Sequence, residues 1–305
     1  MSPARRVVVE GNVASTASML CWATVFPVTE LLLQTWDPFL LAAARLTVAA
    51  GVALVLVALF GRPAELATAP WRTILPIGGL GLGTGVVLLT MGQAHADLVI
   101  VAIIGTAVPL VSALFGVIQG KERIGPRLAA AILLAVLGGV IATGVFSTRV
   151  SFRGGELFAM VSVVLWTWYS RASVDRLAML SDLTKSAANM AAGAAVVLPL
   201  AVLAATLGVV PARLDLGPAA LGQLAWLGAI AVCLSMLLWL RAARLIGVTI
   251  AAMHQNMVPF YVMAMALAIG GRVETAQLVG GLLVVSGAVL AQWPAGRRAE
   301  VSRSA

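Results

Sequence analysis

Near the end of the chain stands AAMHQNMVPFYVMAMA, residues 251–266, in which three polar residues interrupt an otherwise apolar run. His254, Gln255 and Asn256 precede Pro259, and their amides and imidazole could hold both a carboxylate and an ammonium group. A structural role also fits. Proline cannot donate to the carbonyl four residues back, here that of Gln255, so a helix kinks at Pro259 and its freed backbone needs another partner. Three consecutive helical residues spread over about 200°, and they cannot all face one way. His254, Met257 and Tyr261 share one stripe, while Gln255 and Asn256 lie on the opposite flank. The stripe is the expected substrate-facing side, and at least one amide is expected to brace the kink.

The second group is aromatic. Tryptophan in a membrane normally sits at the two interfaces, where its ring is apolar and its N–H is wet. Trp36, Trp71, Trp226, Trp239 and Trp293 fit such belts, but Trp22 and Trp166 fall near the centres of apolar runs. Phe26 follows Trp22 by four residues and Tyr169 follows Trp166 by three, so each tryptophan heads an aromatic stripe. Two readings are open: packing between helices with a hydroxyl or carbonyl as partner for the indole N–H, or the wall of a central cavity. Such a wall would suit a flat apolar side chain and offer π-faces to an ammonium, worth ~2 kcal/mol when desolvated.

What must position these groups follows from composition. Hydrophobic residues make up 61% and charged residues 10% of 305, with a mean hydropathy of +1.03, against about 25% charged in an average soluble domain. Most of this apolar surface must face lipid, so the chain reads as an all-α polytopic membrane protein. At ~20 residues per crossing, breaks at charged and Gly/Pro positions give ten spans, at 12–33, 38–60, 73–93, 98–120, 126–146, 155–175, 182–207, 221–240, 248–270 and 275–293. With the N-terminus inside, fifteen Lys and Arg fall on the cytoplasmic side and four outside, Arg45 lying within a span. Both termini are therefore expected in the cytoplasm. The net charge of +8 is then a topology signal, and no nucleic-acid partner is needed. Arg45 is expected to pair with Glu30 across the 34–37 turn, and Gln93 and His95 to be solvated at the outer face.

The chain repeats itself. Pro109 and Pro259 lie 150 positions apart, each followed by a run ending in Gly, a basic residue and an acid. LGGVIA (137–142) matches SGAVLA (286–291), and ASMLCW (17–22) matches VSVVLW (161–166). A five-span repeat is odd-numbered, so its second copy inserts upside down, the architecture of secondary transporters with a midplane site. The expected halves are 1–148 and 149–305. GGLGLGTG (78–85) lies inside a span and reads as small-residue helix contact.

Over essentially its whole length this pattern resembles the drug/metabolite transporter superfamily in its EamA-type branch, and within it the YddG-type exporters of aromatic and other amino acids. The pattern departs at Arg272, where the first copy has Glu122 and the second copy's acid falls at Glu274. The resemblance implies alternating-access export of amino acids, aromatic and other neutral ones favoured, from a cell inner (plasma) membrane. The site would comprise Trp22, Phe26, Trp166, Tyr169, His254, Gln255, Asn256, Met257 and Tyr261, with helix kinks at Pro109 and Pro259. A facilitator is the default, since no buried carboxylate pair suggests ion coupling. The alternative is proton-coupled efflux of lipophilic drugs or other small metabolites, against which SMLCWATVF (18–26) holds no acid. Buried cations for a phosphate are lacking apart from Arg45, and neither a metal-ligand set nor a nucleophile–base pair points to an enzyme. No cofactor or metal is expected. The partners are a small-molecule substrate and the lipid bilayer, and a monomer is compatible with this unit.

Overall fold

In a computed structural model the chain is all-helical, and the structure describes residues 2–96, 101, 104–120, 125–142, 154–268 and 275–292. In chain order its helices are α1 (Pro3–Ala23), α2 (Val25–Leu33), α3 (Pro38–Phe60), α4 (Pro63–Ala67), α5 (Trp71–Ile74), α6 (Gly85–His95), α7 (Val108–Ile118) and α8 (Pro126–Ala142). There follow α9 (Gly155–Arg176), α10 (Asp182–Thr206), α11 (Pro218–Trp226), α12 (Ser235–Ile246), α13 (Val248–Met253), α14 (Val258–Ala268) and α15 (Thr275–Gln292). Two π-helical stretches, Leu75–Thr84 and Leu227–Leu234, join α5 to α6 and α11 to α12. Among the described residues six helical segments are long and apolar enough to cross a bilayer: Arg5–Leu33, Pro38–Phe60, Trp71–His95, Gly155–Arg176, Asp182–Thr206 and Pro218–Ile246. Arg272, Glu122, Glu274 and Trp293 lie outside the described residues.

Two of the expected spans are interrupted, and the interruptions correspond. Before α7 the chain turns at Thr106 and Ala107, and before α14 it tightens into a 3₁₀ turn, His254–Met257. Pro109 and Pro259 are each the second residue of the helix that follows. The expected kink is thus a break. A proline in a helix's first turn loses no intrahelical bond, so restarting the helix just before it avoids the lost bond and ring clash of an interior proline.

The two halves use the same contacts. Asp37 caps α3 by accepting from the backbone N–H groups of Phe39 and Leu40 at 2.8 and 3.1 Å, and Ser181, 144 residues later, caps α10 through the N–H of Thr184. Ser18 on α1 donates to the carbonyl of Ser235 at 2.8 Å, and Ser162 on α9 donates to that of Gly85, also at 2.8 Å. Gly78 of the first π stretch lies against the backbone of Asn189, and Gly228 of the second lies against Arg45 and Val48. The partner positions are offset by 144 residues in one set of spans and by 150 in the other. A Cβ at residue 78 would stand 2.5 Å from Asn189 O, so the small-residue reading of 78–85 holds for that contact. Without this approach α10 could not pack onto the π stretch.

Short segments at opposite ends tie the halves together. At one end the N–H of Asp37 donates to Arg213 O and the Trp36 indole to Asp215 O, each at 3.0 Å, while Arg213 Nη2 donates to Gln34 O at 2.7 Å. Trp36 is buried there rather than lipid-facing. At the other end Arg241 pairs with Glu10 and the Ser181 N–H donates to Glu65 at 3.1 Å across the halves, while Arg244 pairs with Asp182 within the second half at 2.7 Å. Lys185, beside Asp182, is buried rather than solvated.

Two predictions follow from these contacts. Gly78→Ala forces a Cβ into backbone and should cost about 1–3 kcal/mol. Gly51→Ala on α3, where a Cβ meets nothing within 4 Å, should be neutral or slightly stabilising, by ~0.5 kcal/mol. Melting of both variants in one detergent checks this, and equal losses would refute the contact. Glu65 is held down to about 2 by the hydroxyl and backbone N–H of Ser181, with Thr184 and Arg62 adding to them. Its folded pKa is depressed, so its contribution is whole above the ordinary carboxylate value and fades as pH falls towards about 2. Glu65→Gln should therefore melt earlier than the parent at pH 7 and converge with it between about pH 4.5 and 2, as read by melting across that range.

Candidate substrate cavity between the halves

The interrupted segments meet the first helices of both halves around a cavity. It is lined by Trp22 and Phe26, by Gly85, Val86 and Leu89 of α6, by Ala159, Ser162, Val163 and Trp166 of α9, and by Val101, Gly105, Val108 and Gln255. Gly105 and Gln255 occupy equivalent places in the two breaks. The free interior is about 50 Å³, room for a few waters and too little for a whole indole side chain, so a bulky ligand requires the halves to move apart.

One wall is a column of rings. Trp22 stacks on Trp166 with centroids 5.4 Å apart at 29°, an offset geometry worth about 0.5–1.5 kcal/mol beyond area burial. Tyr169 and Trp239 flank Trp166 at 5.6 and 5.7 Å. Trp22, Phe26 and Trp166 face the cavity, as the cavity-wall reading of their types supposes. Tyr169 does not: it is fully buried behind Trp166, because the three-residue step turns it past the face that its neighbour presents. Trp239 belongs to no interface belt. It is fully buried, and its indole donates to Ser170 Oγ at 2.9 Å. The repeat offers a signal for it, since the equivalent position in the first half is Leu89, itself a cavity residue. Trp226 is exposed and donates to Thr24 Oγ1 at 3.1 Å, as a belt residue would.

The polar run is arranged differently from the helical expectation. Gln255 lines the cavity, and His254, Asn256, Met257 and Tyr261 are outside its lining. The reason is the 3₁₀ winding of His254–Met257, whose three residues per turn rotate the faces away from those of a continuous α-helix. Asn256 is fully buried with neither end of its amide hydrogen-bonded among the described residues, so it is not the expected brace. The Val258 N–H instead bonds the Gln255 carbonyl, which serves the backbone by itself. The indole N–H of Trp166, Nδ1 of His254 and Oε1 of Gln255 likewise lack partners.

The expected Glu30–Arg45 pair does not form. Glu30 is exposed. Arg45 is fully buried, and its Nη2 donates to the carbonyl of Val86 at 3.0 Å. Gln93 is buried rather than solvated, while His95 is exposed and bonds Met91 O. Arg171 is buried and donates to Ser112 O at 3.0 Å and to Thr249 Oγ1 at 3.4 Å. Among the described residues no group of three or more His, Cys, Asp or Glu could hold a metal ion.

The sequence model of the EamA-like transporter family matches residues 10–144 and again 153–293. The chain belongs to the EamA-like transporter family. Its double match makes each of the paired serine and glycine contacts a contact between the two family units, and the EamA-like chain is a multi-pass membrane protein of a family that transports small metabolites and is not an enzyme family. A solved structure described only as "Crystal structure of protein" is 22% identical, covers 94% of this chain and 96% of its own, and superposes with a TM-score of 0.77; at that identity the likeness is one of fold. No curated protein matches.

Removing a cavity ring and removing a buried one should have opposite effects. Trp22→Ala and Trp166→Ala are expected to raise the apparent KM for a large neutral substrate more than they lower folded yield. Trp239→Ala should cost about 3–5 kcal/mol of stability, with transport per folded molecule less affected. Uptake normalised to monodisperse protein checks both, and the reverse pattern would make the Trp22–Trp166 pair packing alone.

Proposed function

We propose that this EamA-like transporter exports amino acids, aromatic and other neutral ones favoured, by alternating access across a cell inner (plasma) membrane. One observation carries the reading: the stacked Trp22–Trp166 pair lines a small cavity whose lining also includes the amide-bearing Gln255. A flat ring slides against the indoles, and the amide can take up a polar end. Trp22, Phe26, Trp166 and Gln255 are the primary site residues. Tyr169 packs on Trp166, and His254, Asn256, Met257 and Tyr261 belong to the same broken segment as Gln255, outside the lining.

The architecture that goes with this function is ten spans in two inverted five-helix halves, 1–148 and 149–305, with both termini cytoplasmic. Equivalent breaks before Pro109 and Pro259 support it, as do the matched serine bonds and the two π stretches, since interrupted segments at corresponding positions mark transporter sites. The end carrying Glu10, Asp182, Arg241 and Arg244 would be the cytoplasmic one. Among the described residues the cavity lining carries no carboxylate, which favours a facilitator over proton-coupled drug efflux.

Reconstitution into proteoliposomes tests the whole reading. Labelled amino acids should enter faster than into protein-free liposomes, with aromatic and branched neutral ones ahead of charged ones, and an imposed pH gradient should leave the rate unchanged. A strong dependence on that gradient, with uptake of lipophilic cations but not of amino acids, would replace the proposal with drug efflux.

A further inference from the structure

Among the described residues Arg45 is a cation without a counter-ion. It stands eight residues into α3 from its capping Asp37, so by helical rise it is ~12 Å from that end, well inside a 23-residue helix. Its Nε and Nη1 have no hydrogen-bond partner, and only Nη2 is engaged, with Val86 O. That carbonyl is already shared with the hydroxyl of Thr90 at 2.8 Å. No ion pair of Arg45 is found among the described residues. A charge at such depth is costly and marks a functional site by default.

Architecture does not demand a cation here. The equivalent position in the other half is Asn189, equally buried, which donates to Ser173 Oγ and Lys185 O at 3.2 and 3.0 Å. Both residues press their backbone against a π-stretch glycine, so the helix contact is met with a neutral side chain in one half and an arginine in the other. What differs is position relative to the site. Val86, the residue that Arg45 holds, lines the cavity beside Trp22, Phe26 and Trp166. The guanidinium therefore stands one carbonyl behind the cavity wall with Nε, Nη1 and one N–H of Nη2 uncommitted among the described residues, so an edge that pairs Nη2 with Nε or with Nη1 can still meet two carboxylate oxygens at once.

We infer that Arg45 is the carboxylate-recognising group of the transport site, so that the ligand is an organic acid end joined to an apolar, ring-bearing body. The inference deepens the amino-acid reading by naming the group that takes the substrate's anionic end, and it leaves Gln255 of the cavity lining for the ammonium. The ring pair would then select the body while Arg45 selects the charge.

The test uses the full chain, purified and reconstituted, with three probes of one ring system: tryptophan, tryptamine, which lacks the carboxylate, and indole-3-propionate, which lacks the ammonium. In the parent protein, tryptophan and indole-3-propionate should raise the melting temperature and tryptamine should not. Arg45→Gln should abolish both shifts and raise the KM for tryptophan at least tenfold. Arg45→Lys, which keeps the charge but not the fork, should fall between. Equal losses for all three probes, or unchanged stabilisation by the acids in Arg45→Gln, would overturn the assignment. So would a parent protein that no carboxylate stabilises. If Arg45→Gln does not fold, Arg45→Lys and the parent's ranking of the probes decide. If indole-3-propionate stabilises the parent while no amino acid is carried, Arg45 stands as the acid-binding group and the amino-acid reading fails.

Discussion

A chain in hydrocarbon must satisfy its own backbone N–H and C=O groups, and unwound stretches survive there only when protein or a cavity surrounds them. The rest of this structure depends on that constraint. The breaks before Pro109 and Pro259 fall where four other elements enclose them, with α1 and α9 bringing rings and α6 bringing a small-residue face. An unbroken helix would present side chains alone. A broken one turns different faces on either side of its break, and Val101, Gly105, Val108 and Gln255 are the residues of these segments that line the cavity.

The closeness of the helices around this centre comes from residues with little or no side chain. Gly78 and Gly228 allow backbone-to-backbone approach, and the hydroxyls of Ser18 and Ser162 fasten each half's first helix to the third helix of the other half. The two fastenings are the same bond made twice at the same length. A rocking motion that loosened one while keeping the other would exchange like for like, which suits two end states of similar free energy and a substrate that tips the balance by modest differential affinity.

Much of this was legible in the residues. Trp22 and Trp166 stood out because tryptophan is misplaced at mid-span, and Pro109 and Pro259 because their spacing matched. Trp239 escaped because its distance from a span end resembles that of a belt residue, and only its tertiary partner, the Ser170 hydroxyl, distinguishes it. The faces of His254, Gln255 and Asn256 were misread for a different reason. Periodicity assumes one winding, and a proline that starts a helix changes the winding upstream of itself. Arg45 was read by proximity in sequence to Glu30, although the two lie on different helices and face different surroundings.

The π stretches at Leu75–Thr84 and Leu227–Leu234 carry one more consequence. A wider turn shifts the angular phase of everything downstream, so one rod can show unlike faces to unlike neighbours. Gly78 points its bare side at α10, while Gly85, Val86 and Leu89 further along look into the cavity. In the second half Gly228 likewise turns its bare side to α3, while Trp239 further along packs against Trp166 behind the cavity wall. Such a phase shift is what the insertion of a single residue into a helix produces. Its presence at corresponding places in both family units gives each the same pair of faces, so the residues that differ between them, Arg45 and Asn189 included, stand on a shared frame.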